Sequence, residues 1–163
     1  MKKSFGQNLL ADKNYLNKII DSINLSKDDI VLEIGAGTGL LTSLLAERVK
    51  KVFAVEMERD ILKKLKENVR KLHNVEIIEE NFLSLSIDEL IKEKFKIVGN
   101  IPYNITSKIL KKIFGDFDLP TKHLKFLKEV YLMVQLEVAK KITSNPGNKS
   151  YGSLSILIPL ESS

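Results

Sequence analysis

Short β-branched runs alternate with longer amphipathic stretches along almost the whole chain, and this alternation restricts the fold more than any other feature. Residues 12–24 carry apolar side chains at Tyr15, Leu16, Ile19, Ile20 and Ile23, an i, i+4 stripe that predicts an amphipathic helix. Ile30-Val31-Leu32-Glu33-Ile34 then reads as a compact buried strand, ended by Gly35. The pattern continues with a helix over about 38–49, a strand at 52–55, a helix marked by Leu62, Leu65 and Val69, and a strand at 75–78. A short helix near 87–91, a strand at 95–98 and a helix over 106–114 follow, then a strand-like run at 130–134 and a helix over 137–142. Asn145-Pro146-Gly147-Asn148 is a turn signal, and residues 154–158 make a last strand. Parallel strands need crossovers long enough to hold a helix, so this order predicts βαβ units and a mostly parallel sheet. The fold class is α/β, without an internal repeat or a linker.

Composition narrows the field further. The 163 residues fit one domain that buries about two-thirds of its unfolded surface without covalent staples. With no cysteine, disulfide frameworks, thiolate metal sites and cysteine nucleophiles are excluded, which fits a reducing, cytoplasmic home. No apolar run approaches the roughly 18 residues that span a bilayer, so no membrane role is expected. Met1-Lys2-Lys3 is basic, yet no hydrophobic stretch follows to make a signal peptide. His73 and His123 are isolated, so no metal site is expected, and Ser, Asp and His form no nucleophilic constellation. The formal charge of +5 permits a nucleic-acid partner without demanding one.

Two segments carry chemistry. Val31-Leu32-Glu33-Ile34-Gly35-Ala36-Gly37-Thr38-Gly39 runs a strand straight into a Gly-rich turn and then a helix. Such glycines permit a tight turn and close approach of a ligand to the main chain. Glu56, at the end of the second strand, stands where an acid accepts hydrogen bonds from ribose hydroxyls, so the pair describes an adenosine-containing ligand. The loop is G-x-G-x-G rather than G-x-G-x-x-G, and no Walker lysine follows it. Glu33, two residues ahead of the first glycine, suits a cationic ligand such as a sulfonium with its ammonium better than a pyrophosphate. Three glycines forming only a tight βα turn is the plainer alternative.

The second segment, Gly99-Asn100-Ile101-Pro102-Tyr103-Asn104-Ile105, is another strand-to-helix junction and should face the same crevice. The Asn100 side-chain carbonyl can accept from an amino group on a planar ring, and a main-chain carbonyl near Ile101 or Pro102 can accept a second bond. Pro102 fixes the backbone without adding a donor, and Tyr103 offers a π face for a base. Two acceptors on one amine aim its lone pair at an electrophilic methyl group, which is catalysis by positioning and needs no strongly shifted base. Lysines 108, 111 and 112, with 122, 125 and 128 further on, would neutralise phosphates beside that crevice; a solvated helix face explains them equally well.

With these residues in hand, the chain resembles the KsgA-type small-subunit ribosomal RNA adenine N6,N6-dimethyltransferases. The resemblance runs through Lys3-Ser4-Phe5-Gly6-Gln7-Asn8-Leu9-Leu10, the Gly-rich loop, Val55-Glu56, and the segment from Gly99 to Thr106. Met133-Val134-Gln135-Leu136-Glu137-Val138-Ala139 and Tyr151-Gly152-Ser153-Leu154-Ser155 complete it, and these two favour that branch over the large-subunit resistance methylases. The resemblance implies a Rossmann-like methyltransferase fold, S-adenosyl-L-methionine as cofactor, and transfer of two methyls to each of two adjacent adenosines during ribosome biogenesis. Asn8 and Leu10 would touch the cofactor, Gly35 would hold its methionine part, Glu56 its ribose, and Met57 would pack on its adenine. Asn100, with Pro102, would sit between cofactor and target amine, and Tyr103 would stack on a flipped-out base. The expected partner is small-subunit rRNA in a pre-30S-type particle. The expected state is a monomer, with a strand-exchanged dimer as the alternative.

The resemblance also has gaps. The family's usual Asp is Asn81 here, which should weaken the contact to the adenine amine without abolishing it, and the usual Lys is Leu136. The chain stops before the family's seventh strand and its C-terminal helical domain. The expectation is therefore one domain over 1–163, C-terminally incomplete, with impaired methylation. Large-subunit rRNA adenine methylation and a non-catalytic RNA-binding assembly factor are the rival functions.

Overall fold

The computed structural model describes residues 13–102, 104–115 and 121–144. Twelve elements follow in order: α1 (Lys13–Ser22), β1 (Ile30–Ile34), α2 (Leu40–Ala46), β2 (Lys51–Val55), α3 (Arg59–Val69) and β3 (Val75–Ile78) lead. Next come α4 (Ile87–Leu90), β4 (Phe95–Asn100), α5 (Thr106–Phe114), a 3-10 turn (Lys122–Lys125), β5 (Leu127–Met133) and α6 (Leu136–Ile142). The five strands make one sheet in the order β3-β2-β1-β4-β5, and every pairing is parallel. The chain builds outward from β1 to β3, then returns to the other side of β1 with β4 and β5.

The sheet is buried on both faces. All five residues of β1 are buried, as are Val52 to Val55 of β2 and the first five residues of β4. Alternate residues of β1 therefore serve different layers, as the pleat requires. Val31 joins Val52, Ala54 and Val98 under α1, α2 and α3, which contribute Leu16, Ile20, Leu41, Leu45, Leu62, Leu65 and Val69. Ile30, Leu32 and Ile34 join Phe53, Val55, Phe95 and Ile97 on the other face, under Phe82, Leu85, Ile87 of α4, and Ile109 and Ile113 of α5. This explains why the strands read as continuous apolar runs rather than alternating ones.

Among the described residues the expected element types are borne out, and the differences have local causes. Residues 38 and 39 are not helical, because Gly39 takes a left-handed φ of 85° as the cap of α2. Strand β4 runs two residues past Val98, since Gly99 and Asn100 continue the register against Leu132 and Met133 of β5. Strand β5 begins at Leu127, not Val130, because the charged pair Lys128 and Glu129 masks its start in the sequence. The 3-10 turn was not foreseen. Its His123 is buried, with ring Nε2 2.8 Å from the Ile113 carbonyl and 3.2 Å from Thr121 Oγ1, and burial holds its pKa below the ordinary histidine value. It pins the turn to α5.

The turn at 145–148, the strand at 154–158 and any seventh strand lie outside the described residues. Among the described residues no helix is long and apolar enough to cross a membrane, and no cluster of His, Cys, Asp and Glu has metal-binding geometry.

Candidate nucleoside and amine site

In an open parallel sheet a ligand crevice forms outside the carboxyl ends of the strands, where strand order reverses. Here the reversal lies between β1 and β4, which pair directly from Ile30↔Phe95 to Ile34↔Gly99. The Gly-rich loop leaves β1 on one side of that point, and the Asn100 segment leaves β4 on the other.

The loop is bent by its own glycines and tied to β2. Gly35, Gly37 and Gly39 all have positive φ, at 71°, 58° and 85°. The Gly35 and Ala36 N–H groups both donate to the Val55 carbonyl at 3.0 Å, and Gly39 N–H donates to Ala36. The glycines divide their duties. Among the described residues a Cβ at Gly35 or Gly37 would meet nothing within 4 Å, so these leave open space over the first half of the loop. A Cβ at Gly39 would lie 2.7 Å from Leu65 Cδ1 and 3.1 Å from Val69 Cγ1, so that glycine lets α2 close on α3.

Glu56 organises this edge. It is 8% exposed, and its carboxylate accepts from Gly37 N–H at 2.9 Å, Met57 N–H at 2.7 Å and Glu58 N–H at 2.9 Å. Two of these bonds fill Oε1, while Oε2 accepts one and keeps a second acceptor position for a ligand hydroxyl. The carboxylate is thus fixed by the main chain that a ligand would touch, which the sequence did not reveal.

Glu33 is the more unusual acid. It is 2% exposed, and its Oε2 has no hydrogen-bond partner; the same holds for Oγ1 of Thr42, which is wholly buried on α2. These are the two orphaned buried side-chain polar atoms among the described residues. Burial pushes the Glu33 carboxyl up to about 8; the neighbouring Thr42 hydroxyl offsets a little of this without reaching hydrogen-bond geometry, and the Glu56 charge adds to it. Thr42 was missed in the sequence, where it stands in an unremarked Leu-Leu-Thr-Ser run one turn past the loop.

On the β4 side, Asn100 ends the strand half-buried, and Ile101 N–H donates to the Met133 carbonyl at 3.0 Å. The Pro102 carbonyl is already taken, by Ile105 N–H at 3.2 Å and Thr106 Oγ1 at 3.0 Å. Nothing among the described residues donates to the Ile101 carbonyl. Of the two main-chain acceptors anticipated, the geometry therefore leaves Ile101. Pro102 is exposed four residues before α5 begins and serves as a bend rather than a helix start.

Met57 is 58% exposed, and the other exposed large apolar side chains among the described residues, Leu40 and Leu136, also lie at the carboxyl edge. Asn81 is exposed, and its Oδ1 accepts from Leu83 N–H at 3.0 Å, so one of its two acceptor positions closes a local turn. Asn8, Leu10 and Tyr103 lie outside the described residues. The crevice thus unites Gly35, Glu56, Met57 and Asn100, with Glu33 beneath the loop.

Lys108, Lys111 and Lys112 lie on α5 after the Asn-Ile-Pro segment, as expected, whereas the second lysine group is placed differently. Lys122 and Lys125 precede β5, where Phe126 O accepts from Phe95 N–H, so they stand at the amino edge of the sheet. Lys128 is bound to Asp29 at 3.5 Å at that same edge. The six residues of β4 put them roughly 20 Å from the crevice. The sequence placed these lysines near the site only because it could not show which end of β5 they occupy.

A five-stranded parallel sheet in this order, with a glycine loop after β1, an acid after β2 and an Asn-Ile-Pro segment after β4, defines a Rossmann-like methyltransferase domain. Structural likeness agrees: a dimethyladenosine transferase from Plasmodium falciparum aligns at 30% identity with a TM-score of 0.72 over 90% of this chain and 50% of that one. The 23S rRNA methyltransferase ErmE aligns at 32% identity with a TM-score of 0.69, over 81% of this chain and 50% of its own. The model of the ribosomal RNA adenine dimethylase family matches residues 1–162, and the chain belongs to that family. The ribosomal RNA small subunit methyltransferase A of Alkaliphilus oremlandii is 41% identical over 161 residues, 96% of this chain and 54% of that protein. Its counterpart in Caldanaerobacter subterraneus is 38% identical, over 96% of this chain and 58% of its own length. The chain thus spans a little over half the length of the curated relatives it matches.

Proposed function

We propose that this chain is the catalytic domain, over 1–163, of an S-adenosyl-L-methionine-dependent enzyme that dimethylates N6 of two adjacent adenosines in small-subunit rRNA. The observation that carries the reading is the meeting of Asn100 and the unclaimed Ile101 carbonyl with the Gly-rich loop and Glu56 at one switch point. The residues fit the cofactor: open space over Gly35 and Gly37 for its methionyl part, an acceptor position on Glu56 for the ribose, and exposed Met57 for the adenine. Asn81 keeps one acceptor position for the adenine amine, and Asn8 and Leu10 complete the contacts by family resemblance.

When bound, the cofactor supplies an electrophilic methyl group. Asn100 Oδ1 and Ile101 O accept the two N–H bonds of the target amine and so aim its lone pair. Pro102 holds the bend that brings both acceptors together, and Tyr103 stacks on the base. The names of the relatives support small-subunit rRNA as the substrate, and the family resemblance supports its precursor particle as the form acted on.

The likeness to ErmE supports large-subunit rRNA as the second reading. Labelled-methyl transfer to undermethylated small-subunit particles, against large-subunit particles, separates the two. The expected result is label in small-subunit adenines, cut at least a hundredfold by Asn100→Ala with cofactor binding largely kept. Label in large-subunit RNA alone would transfer the assignment. Particle binding without label in either would instead make the domain an assembly factor.

A further inference from the structure

We propose that the recess between α4 and the 3-10 turn, at the amino edge of the sheet, is a second RNA site. Its Lys92, Lys122 and Lys125 grip the sugar-phosphate backbone of the strand whose adenine enters the crevice. The inference rests on the rRNA reading for the identity of the ligand, and the recess does no chemistry.

The recess has a volume of about 180 Å³, below the roughly 300–1,000 Å³ of a pocket that encloses a free small molecule. It therefore suits one ribose-phosphate unit of a longer ligand. Lys92 comes from the link between α4 and β4, Lys122 and Lys125 from the 3-10 turn, and half-buried Phe126 completes the lining. Three ammonium groups stand against one carboxylate, that of Asp88. The walls are fixed before any ligand arrives. Lys94 Nζ donates to the Lys125 carbonyl at 2.7 Å, Phe95 N–H donates to Phe126 O at 3.0 Å, and His123 Nε2 lies 2.8 Å from the Ile113 carbonyl. Lys125 Nζ stands 4.8 Å from the Phe126 ring centre, a cation–π contact that limits where the ammonium can go.

A merely solvated face would not leave these lysines as they are. Elsewhere on this edge Lys50 lies 3.3 Å from Glu93, Lys51 2.7 Å from Glu76 and Lys128 3.5 Å from Asp29. Among the described residues Lys92, Lys122 and Lys125 have no carboxylate within ion-pair distance, although Asp88 shares their recess. Uncompensated cations around one hollow concentrate counter-anions, and a polyanion gains affinity by releasing ions of its own. Helix α5 joins the two sites. It starts at Thr106 beside the crevice and ends at Phe114 beside the turn, about 14 Å along its axis. Lys108 is exposed in its first turn, and Lys112, whose charge reaches His123, stands in its last. A strand leaving the crevice thus meets a cation at each end of α5 before the recess.

Binding of the whole chain to undermethylated small-subunit particles, followed against potassium chloride concentration, tests this, with large-subunit particles in parallel. Lys122→Ala combined with Lys125→Ala should weaken binding roughly tenfold at low salt and flatten the plot of log affinity against log salt by about one to two units. Affinity for S-adenosylhomocysteine should not change. Lys50→Ala with Lys51→Ala removes the same charge from paired lysines of that edge and should shift particle binding by less than about twofold. Equal effects of the two double variants, or an unchanged salt slope, overturn the proposal and leave the rRNA reading intact. Failure of the wild type to bind either particle overturns both. If the recess variant misfolds, amine acylation of the wild type, read by mass spectrometry, decides: bound particles must protect Lys122 and Lys125 and leave Lys50 reactive. Absence of that protection sinks the idea, and equal protection by inorganic phosphate alone makes the recess a free-anion site instead.

Discussion

Glu33 and Glu56 share one edge and have opposite surroundings. Glu56 accepts three main-chain N–H bonds, whereas Glu33 has an oxygen with none. Glu56→Ala should therefore act twice, lowering stability by about 1–3 kcal/mol through stranded N–H groups and weakening cofactor binding at least tenfold. Chemical denaturation and calorimetry read the two effects separately, and intact stability would show that the loop does not depend on the carboxylate. Glu33 titrates high, at about 8 against an ordinary 4.5, so the folded chain holds this proton more tightly than the unfolded one. That contribution is complete below the ordinary value and is lost as pH rises through about 8. In the ligand-free protein, Glu33→Gln should accordingly stabilise the fold near pH 8, by on the order of 3 kcal/mol and with a higher Tm, and much less near pH 5. Equal shifts at both pH values in a melt followed by circular dichroism would contradict this.

Among the elements, the strand–loop–helix unit is where sequence and structure agree most closely and still differ in meaning. The three glycines look alike in sequence, yet Gly39 faces Leu65 and Val69 while Gly37 faces open space. Gly39→Ala combines positive φ with a close contact to α3 and should cost about 2–3 kcal/mol. Gly37→Ala should cost about 1 kcal/mol, for its φ alone, but place a methyl in the ligand's space. Urea titration and cofactor calorimetry should thus rank the two variants in opposite orders; the same order in both would refute the division of duties. The β4–β5 pair was less legible. Its extension through Asn100 depends on partners Leu132 and Met133, and β5 starts early at Leu127, where Lys128 and Glu129 pair with Asp29 and Lys96. A local pattern cannot reveal a partner strand that lies some thirty residues away in sequence.

Across the whole molecule, the amino edge of the sheet is a structural end and the carboxyl edge a chemical one. Buried Lys96 ties β4 to Asp29 before β1 and to Glu129 on β5, and Tyr131 donates to that same Glu129 at 3.0 Å. Burial pushes the Asp29 carboxyl up, but Lys96 and the Ser26 N–H outweigh it and hold it below the ordinary value; the Lys96 hydrogen bond does the same for Glu129. Both depressed carboxylates stabilise the fold above their ordinary titration range, and that stability is lost as pH falls through their folded values. Lys96→Met leaves the buried Asp29 charge with only the half-exposed Lys128 as cation and should cost about 3–5 kcal/mol at neutral pH, with a weaker acid dependence below pH 5. Adding Asp29→Asn should recover part of the loss. A double variant no more stable than Lys96→Met would show that Asp29 is not the group left unpaired.

By itself the sequence determined the α/β class, the five described strands and the two segments at the carboxyl edge, because periodicity and glycine spacing are local properties of the chain, and its motifs carried the family resemblance. Only the tertiary structure decided that Glu56 is locked by main-chain donors and that, among the described residues, Glu33 Oε2 and Thr42 Oγ1 have no partner and Ile101 rather than Pro102 offers the free carbonyl. It also moved Lys122, Lys125 and Lys128 away from the crevice and revealed Lys96 at the opposite edge. The reason is physical. Burial, desolvation and hydrogen-bond satisfaction are set by neighbours from distant segments, and a residue's charge takes its meaning from them.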